Sequence, residues 1–261
     1  MMYALPRLVL TVSLLAAAAA QQASTTAQQA PAARQAPAAQ QAPKAAQQSF
    51  MGFPFQNESI HYNINWQSGL NLGEASFTAH RTAPGWEFQA SGDAPFPGFV
   101  ILDKYHSSTD ANLCSGEFER DLSHGGKKTR EKTTFDQQKG EAHRTTLFPS
   151  DGGTSTFDIP SCARDALAFI YYARRELGQG RVPPQQQIFF GSAYTAHLDY
   201  TGAQTIRVGD KPEITDHLVV SIKGPKSDFN FEVFYARDAA RTPVSIRIPT
   251  GMGTFSMDVV R

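Results

Sequence analysis

Cys114 and Cys162 are the only cysteines among 261 residues, and the thiol is the most reactive side chain this sequence offers. Two chemistries suit the pair. Cys162 follows Ser161, a capping residue, and so falls in the first turn of a predicted helix, where a thiolate is favoured and can act as a nucleophile. No His or Asn signature of a thiol enzyme accompanies it. A Cys114–Cys162 bridge would instead close a loop of about 49 residues and restrict the unfolded chain by about 4 kcal/mol in the chain-entropy model. The disulfide is the expectation.

The other chemically suggestive clusters have plainer explanations. Gly126-Lys127-Lys128-Thr129 has the look of a phosphate-binding loop, but Asp121 stands where such a loop needs another glycine, and no helix pattern follows to aim amides at a phosphate. A Gly125-Gly126 turn makes a hairpin instead, with Asp121 opposite Arg130 and Glu119 opposite Lys132. His197 and Asp199 share one face of a predicted strand, with His217 on a later one. Alternation of this kind is the ordinary solvent face of a sheet, and a metal needs three or four converging ligands. No Gly-x-Ser-x-Gly, His-Glu-x-x-His or dinucleotide fingerprint occurs. The expectation is a non-catalytic protein with no metal and no cofactor.

Aromatic content is the more informative feature, with 18 Phe in the chain. The stretch from Gly92 to Leu102, which includes Phe96, Phe99 and Ile101, is apolar where a polar connection between strands would be usual. Phe189, Phe190 and Tyr194 follow the predicted helix. These six residues either rim an apolar ligand groove or cover an open end of the core.

Such residues need elements to hold them. Strict alternation over 59–66 puts Ile60, Tyr62, Ile64 and Trp66 on one face. Further strands are predicted around Phe77 and over 86–90, 103–109, 116–122, 128–135, 141–148, 187–200, 203–208, 216–223, 229–235, 243–248 and 253–260, joined by turns rich in Gly, Asp, Asn and Pro. One helix interrupts them. Its apolar residues Ala166, Ile170, Ala173 and Leu177 recur at helical spacing with Leu167 and Phe169 beside them, Arg174 and Arg175 suit its C-terminal dipole, Ser161 serves as cap and Gly178 as stop. The fold class that follows is mainly β: a curved antiparallel meander, a partly open barrel-like sheet, with one main α-helix packed on its concave face or edge.

The amino terminus sets the compartment. Arg7 precedes the apolar run 8–15 and the alanines 16–20, the order of a cleavable signal peptide, and the run is shorter than the roughly 20 apolar residues of a membrane span. Residues 1–20 are therefore expected to be removed. No cysteine at the cleavage point takes a lipid, and no transmembrane anchor is expected in the mature chain. Residues 21–49, almost all Ala, Gln, Pro, Ser and Thr, read as a disordered linker, either a tether or a spacer of no selected role. Residues 50–261 form the single β-rich domain. The chain balances 24 Lys and Arg against 24 Asp and Glu; with three of those cations and no acid before residue 50, the domain holds 21 against 24, a net charge of −3. That excludes generic nucleic-acid binding, which needs a basic face. A periplasmic or secreted location follows.

Four stretches, taken in order, resemble a known family: Asp165-Ala-Leu-Ala-Phe-Ile-Tyr-Tyr-Ala-Arg174, the Gly-x-Gly-Arg at 178–181, Leu198-Asp-Tyr200, and Phe234-Tyr-Ala-Arg-Asp-Ala-Ala-Arg-Thr-Pro-Val244. They are similar to the bacterial domain of unknown function 3108 over most of 55–260. The resemblance implies an exported protein with a β-rich fold and assigns no catalytic residue. The functional expectation is an envelope protein holding a hydrophobic or lipid-like small molecule in an apolar groove. The alternatives are a scaffold module that binds another envelope protein and, third, a hydrolase or thiol enzyme.

Overall fold

Alternation becomes strand almost wherever it occurs. The computed structural model describes residues 57–261 except 97, 98, 226 and 252, and within them fifteen strands accompany one helix; the expected signal at 1–20 and linker at 21–49 lie outside the described residues. The chain begins as a run of antiparallel hairpins, β1 (Asn57–Trp66), β2 (Asn71–Arg81), β3 (Gly85–Phe96), β4 (Phe99–Asp110), β5 (Ser115–His124), β6 (Lys127–Asp136), β7 (Glu141–Phe148) and β8 (Thr154–Asp158). A two-residue strand, β9 (Arg164–Asp165), then enters α1 (Ala166–Gly178). After the helix come β10 (Gln186–Phe189), β11 (Ala193–Val208), β12 (Lys211–Lys223), β13 (Asp228–Ala236), β14 (Pro243–Thr250) and β15 (Gly253–Val259).

One extra pairing and one missing one decide the shape. β1 pairs antiparallel with β15, while β8 and β9 do not pair, so the sheet runs from β8 to β1 and then from β15 to β9. The meander is joined at its first and last strands and open in the middle, where the chain leaves it to form α1. The two open edges still approach each other. Phe157 of β8 stacks on Phe189 of β10 at 5.4 Å, and Arg144 of β7 donates to the Gly191 carbonyl beyond β10. The sheet curls without closing, and α1 lies in its concave face, with Leu167 and Tyr171 toward one half and Phe169, Ala173 and Leu177 toward the other.

The helix starts later than Ser161. Asp165 is the cap, its Oδ1 accepting from the amides of Leu167 and Ala168 at 2.8 and 3.0 Å, because residues up to 165 are used by β9 and the turn before it. Helix termination also differs. Gly178 is still helical, and Gly180, at φ +74°, is the residue that ends α1. Its amide donates to Leu177 O and that of Arg181 to Glu176 O, a Schellman arrangement that only a left-handed residue completes.

Cys114 and Cys162 form a disulfide. It ties the β4–β5 turn to the segment leading into α1, and it leaves Cys162 without a thiol to act as a nucleophile. The β5–β6 hairpin has the expected register, Asp121 opposite Arg130 and Glu119 opposite Lys132, over a turn with both glycines at positive φ. Lys132 pairs with Glu119 directly opposite it and diagonally with Glu117, and Arg130 pairs diagonally with Glu119.

Two segments depart from expectation. The apolar stretch 92–102 is strand over 92–96 and 99–102: β3 and β4 carry it, and Phe96 pairs with Phe99. The predicted strand 187–200 is broken at 190–192, where Gly191 adopts φ +72° and Phe190 N donates to Ser192 O. β8 escapes an alternation reading because Phe157 is its only large apolar side chain.

Asp165 carries the strongest local constraint. It is fully buried, and its Oδ2 accepts from Ser107 Oγ of β4 and Ser115 Oγ of β5 at 2.6 Å each. Asp165→Ala removes the cap and strands two buried hydroxyls, so a loss of about 3 kcal/mol is expected in urea unfolding; a loss under about 1 kcal/mol would show that the disulfide alone fixes the helix start.

Candidate functional site

The two halves of the concave face are filled differently. On one side Trp86, Phe88, Phe118, Phe135 and Phe189 pack against Leu167 and Tyr171 in a continuous core. On the other, a cleft of about 430 Å³ separates α1 from the sheet. Its wall is strand alternation made visible: Phe229, Phe231, Val233 and Tyr235 of β13, Val220 and Ile222 of β12, Tyr194 and Leu198 of β11. Ile60 and Tyr62 of β1 and Phe77 of β2 complete it. The helix contributes Phe169 and Ile170, but also Ala166 and Ala173, which are too small to reach across. The cleft exists because the two alanines face large strand residues over a gap.

Exposure grades along the cleft. Phe229 is 47% exposed, and Phe190, Tyr194, Phe231 and Ile246 are half-buried, so these form the rim. Tyr62, Ala173, Arg174, Tyr235 and Pro243 are buried and form the deep end. There Tyr62 donates its hydroxyl to Pro243 O at 2.7 Å.

Arg174 is the unusual residue of this floor. Only 1% of it is exposed, yet it is charged and lines an apolar cleft. Its charge is answered in full: Nη1 and Nη2 donate to the two carboxylate oxygens of Glu58 at 2.6 and 2.7 Å, and Nε to Ala240 O at 3.0 Å. Burial pulls its pKa down, and the Glu58 carboxylate more than offsets that, so the guanidinium stays above its ordinary value. Burial pushes the phenols of Tyr62 and Tyr171 up, and that of Tyr235 up to about 12, so all three remain protonated. The deep end is neutral overall.

Of the residues singled out by sequence, Phe190 and Tyr194 line the cleft. Phe189 does not. Adjacent strand residues point to opposite sides, and with Ile188 toward the cleft, Phe189 enters the other core against Phe135 and Phe157. Ile101 is not a cleft residue either, because β4 belongs to the opposite flank of the sheet from β11–β13. The backbones of Phe96 and Phe99 pair beside it, and their side chains lie outside the described residues. His197 bonds Asp199 at 2.9 Å, while His217 stacks on Phe234. Among the described residues no three His, Cys, Asp or Glu side chains gather to hold a metal. No described helix is long and apolar enough to cross a membrane.

Sequence reasoning missed the Arg174–Glu58 pair by assigning Arg174 to the helix dipole. The signal was present: residues 167, 171 and 174 fall on one helix face, so Arg174 continues a buried stripe. The β13 wall was also legible, as four large apolar residues at every second position from 229 to 235.

A model of the family described as "Protein of unknown function (DUF3108)" matches residues 60–260. The chain belongs to this family. No curated protein matches it. The DUF3108 match runs from the cleft residue Ile60 to Val260 past the end of β15, so the β1–β15 joint lies within the family domain. A solved structure is also similar, a beta-barrel-like protein of domain of unknown function DUF1849 from Brucella abortus. The likeness covers 78% of this chain and 96% of that one, with a TM-score of 0.58 at 11% identity. It is a likeness of fold: the curled, barrel-like sheet is common to both.

In this DUF3108 domain the floor of the cleft stands or falls with its ion pair. Glu58→Gln leaves a buried guanidinium without its counter-charge and is expected to cost about 3 kcal/mol in urea unfolding, whereas the double change Glu58→Leu with Arg174→Met recovers most of it. Equal losses in both proteins would show that packing, not charge pairing, holds the floor.

Proposed function

We propose that this domain is an exported, non-catalytic envelope protein that binds a hydrophobic or lipid-like molecule in the cleft between α1 and β10–β13. One observation carries the proposal: a cleft of about 430 Å³, within the usual range for ligand sites, walled almost wholly by apolar side chains. Its ionisable lining argues for binding over chemistry. The buried phenols of Tyr62, Tyr171 and Tyr235 are held protonated, and the one cation is saturated by Glu58 and Ala240.

Export is supported by the signal-like order of residues 1–20 and by the Cys114–Cys162 bridge, since disulfides persist in oxidising compartments.

The test is ligand extraction from purified protein followed by mass spectrometry, together with titration of an environment-sensitive apolar dye. A co-purifying hydrophobe or saturable dye binding is expected. Val220→Phe, which fills the middle of the cleft, should weaken dye binding at least tenfold without lowering the melting temperature, because the added ring occupies existing space. No extracted hydrophobe and no saturable dye binding would overturn the proposal.

A further inference from the structure

The shape of the cleft is more specific than its polarity. Phe229, Phe231, Val233 and Tyr235 line it along one strand, so it extends over six residue steps, roughly 20 Å at about 3.3 Å per residue. A volume of about 430 Å³ spread over that length averages roughly 20 Å² in cross-section, about that of one extended hydrocarbon chain. A methylene takes about the space of a water molecule, roughly 30 Å³. The cleft therefore holds about fourteen methylenes.

The ends differ in kind. At the rim Phe229 is 47% exposed, so a polar group there stays in water. At the buried end the only cation, Arg174, has all three nitrogens committed to Glu58 and Ala240. An anionic head brought to that end would have to displace Glu58 from a two-point ion pair, and a neutral polar head would give up its water among Tyr62, Ala173 and Pro243. A terminal methyl loses nothing there.

We infer that the cleft takes a single-chain amphiphile tail first, one acyl or alkyl chain along β13 with its methyl end at Tyr235 and its head group at the Phe229 rim. The inference rests on the apolar-ligand proposal and narrows it to one class.

The experiment is dye displacement from the full mature chain by monoacyl lipids, kept below their micelle-forming concentrations, with saturated chains from about eight to about eighteen carbons. Affinity is expected to rise about fourfold per methylene and to level off near fourteen carbons. Exchanging a carboxylate head for a neutral glycerol ester should change it by no more than about fivefold, as for any charge left at a wet surface. A hydroxyl at the far end of the chain should weaken binding at least tenfold, since it is carried into the buried end. Three results would overturn the inference while leaving the apolar-ligand proposal in place. They are two-chain phospholipids competing as well as monoacyl lipids, a preference for the carboxylate head of about a hundredfold, and terminal hydroxylation without effect. A chain series that never displaces a dye still sensitive to Val220→Phe overturns it too, whereas absence of any dye binding would remove both.

Discussion

The buried carboxylate of Asp165 is the point on which the architecture turns. Four donors converge on it, the amides of Leu167 and Ala168 from α1 and the hydroxyls of Ser107 and Ser115 from β4 and β5, while its own amide donates to Ser115 Oγ. Burial pushes its pKa up, and the serine hydroxyls and helix amides act against that by favouring the carboxylate. Few side chains could do this work. A cap alone fixes where a helix begins; a cap bonded to two strands also fixes where the helix lies on the sheet.

With its start set by Asp165 and the nearby disulfide, α1 is held at its far end by Arg174, which reaches Glu58 on β1 and Ala240 before β14. Anchoring at both ends permits what packing alone would not. A helix held only by its apolar face would settle further onto the sheet beside Ala166 and Ala173, the small residues of the cleft lining. Here the gap survives. At roughly 24 cal/mol per Å³, an empty dry void of this size would cost on the order of 10 kcal/mol, as much as an ordinary domain's whole stability. The open rim at Phe229 spares the fold that cost by admitting solvent or a solute.

The sequence disclosed the parts of this design that depend on period and hid the parts that depend on distance in the chain. Alternation located most strands, and the glycines of the β5–β6 turn fixed a register that the structure reproduces. Helical spacing located α1 but misplaced both its ends, because Ser161 and Gly178 satisfy local rules as well as Asp165 and Gly180 do. What selects Asp165 is a pair of serines 58 and 50 residues away along the chain, on β4 and β5. The cleft was half legible for the same reason. Phe190 and Tyr194 are cleft residues, whereas Phe189 and Ile101 are equally apolar and belong elsewhere. Which face of a strand looks at α1 depends on the turn at 190–192 and on the curl of the sheet, neither of which any window of sequence contains.

The joint between β1 and β15 gives the opening in the middle of the meander its purpose. A sheet of consecutive hairpins closed first strand to last would make a barrel with its core filled from the strands alone. Breaking the ring between β8 and β9 lets the chain pass inside, and the disulfide and Asp165 both sit where it enters. The half-sheet on the β3–β6 side then packs directly on Tyr171, with Phe88 stacked on its ring at 4.1 Å. The half on the β10–β13 side packs on Phe169, Ala173 and Leu177 and leaves a cleft beside them. One helix thus serves as core for one flank and as the wall of a cleft for the other, and the difference lies in side-chain size at three or four positions along α1.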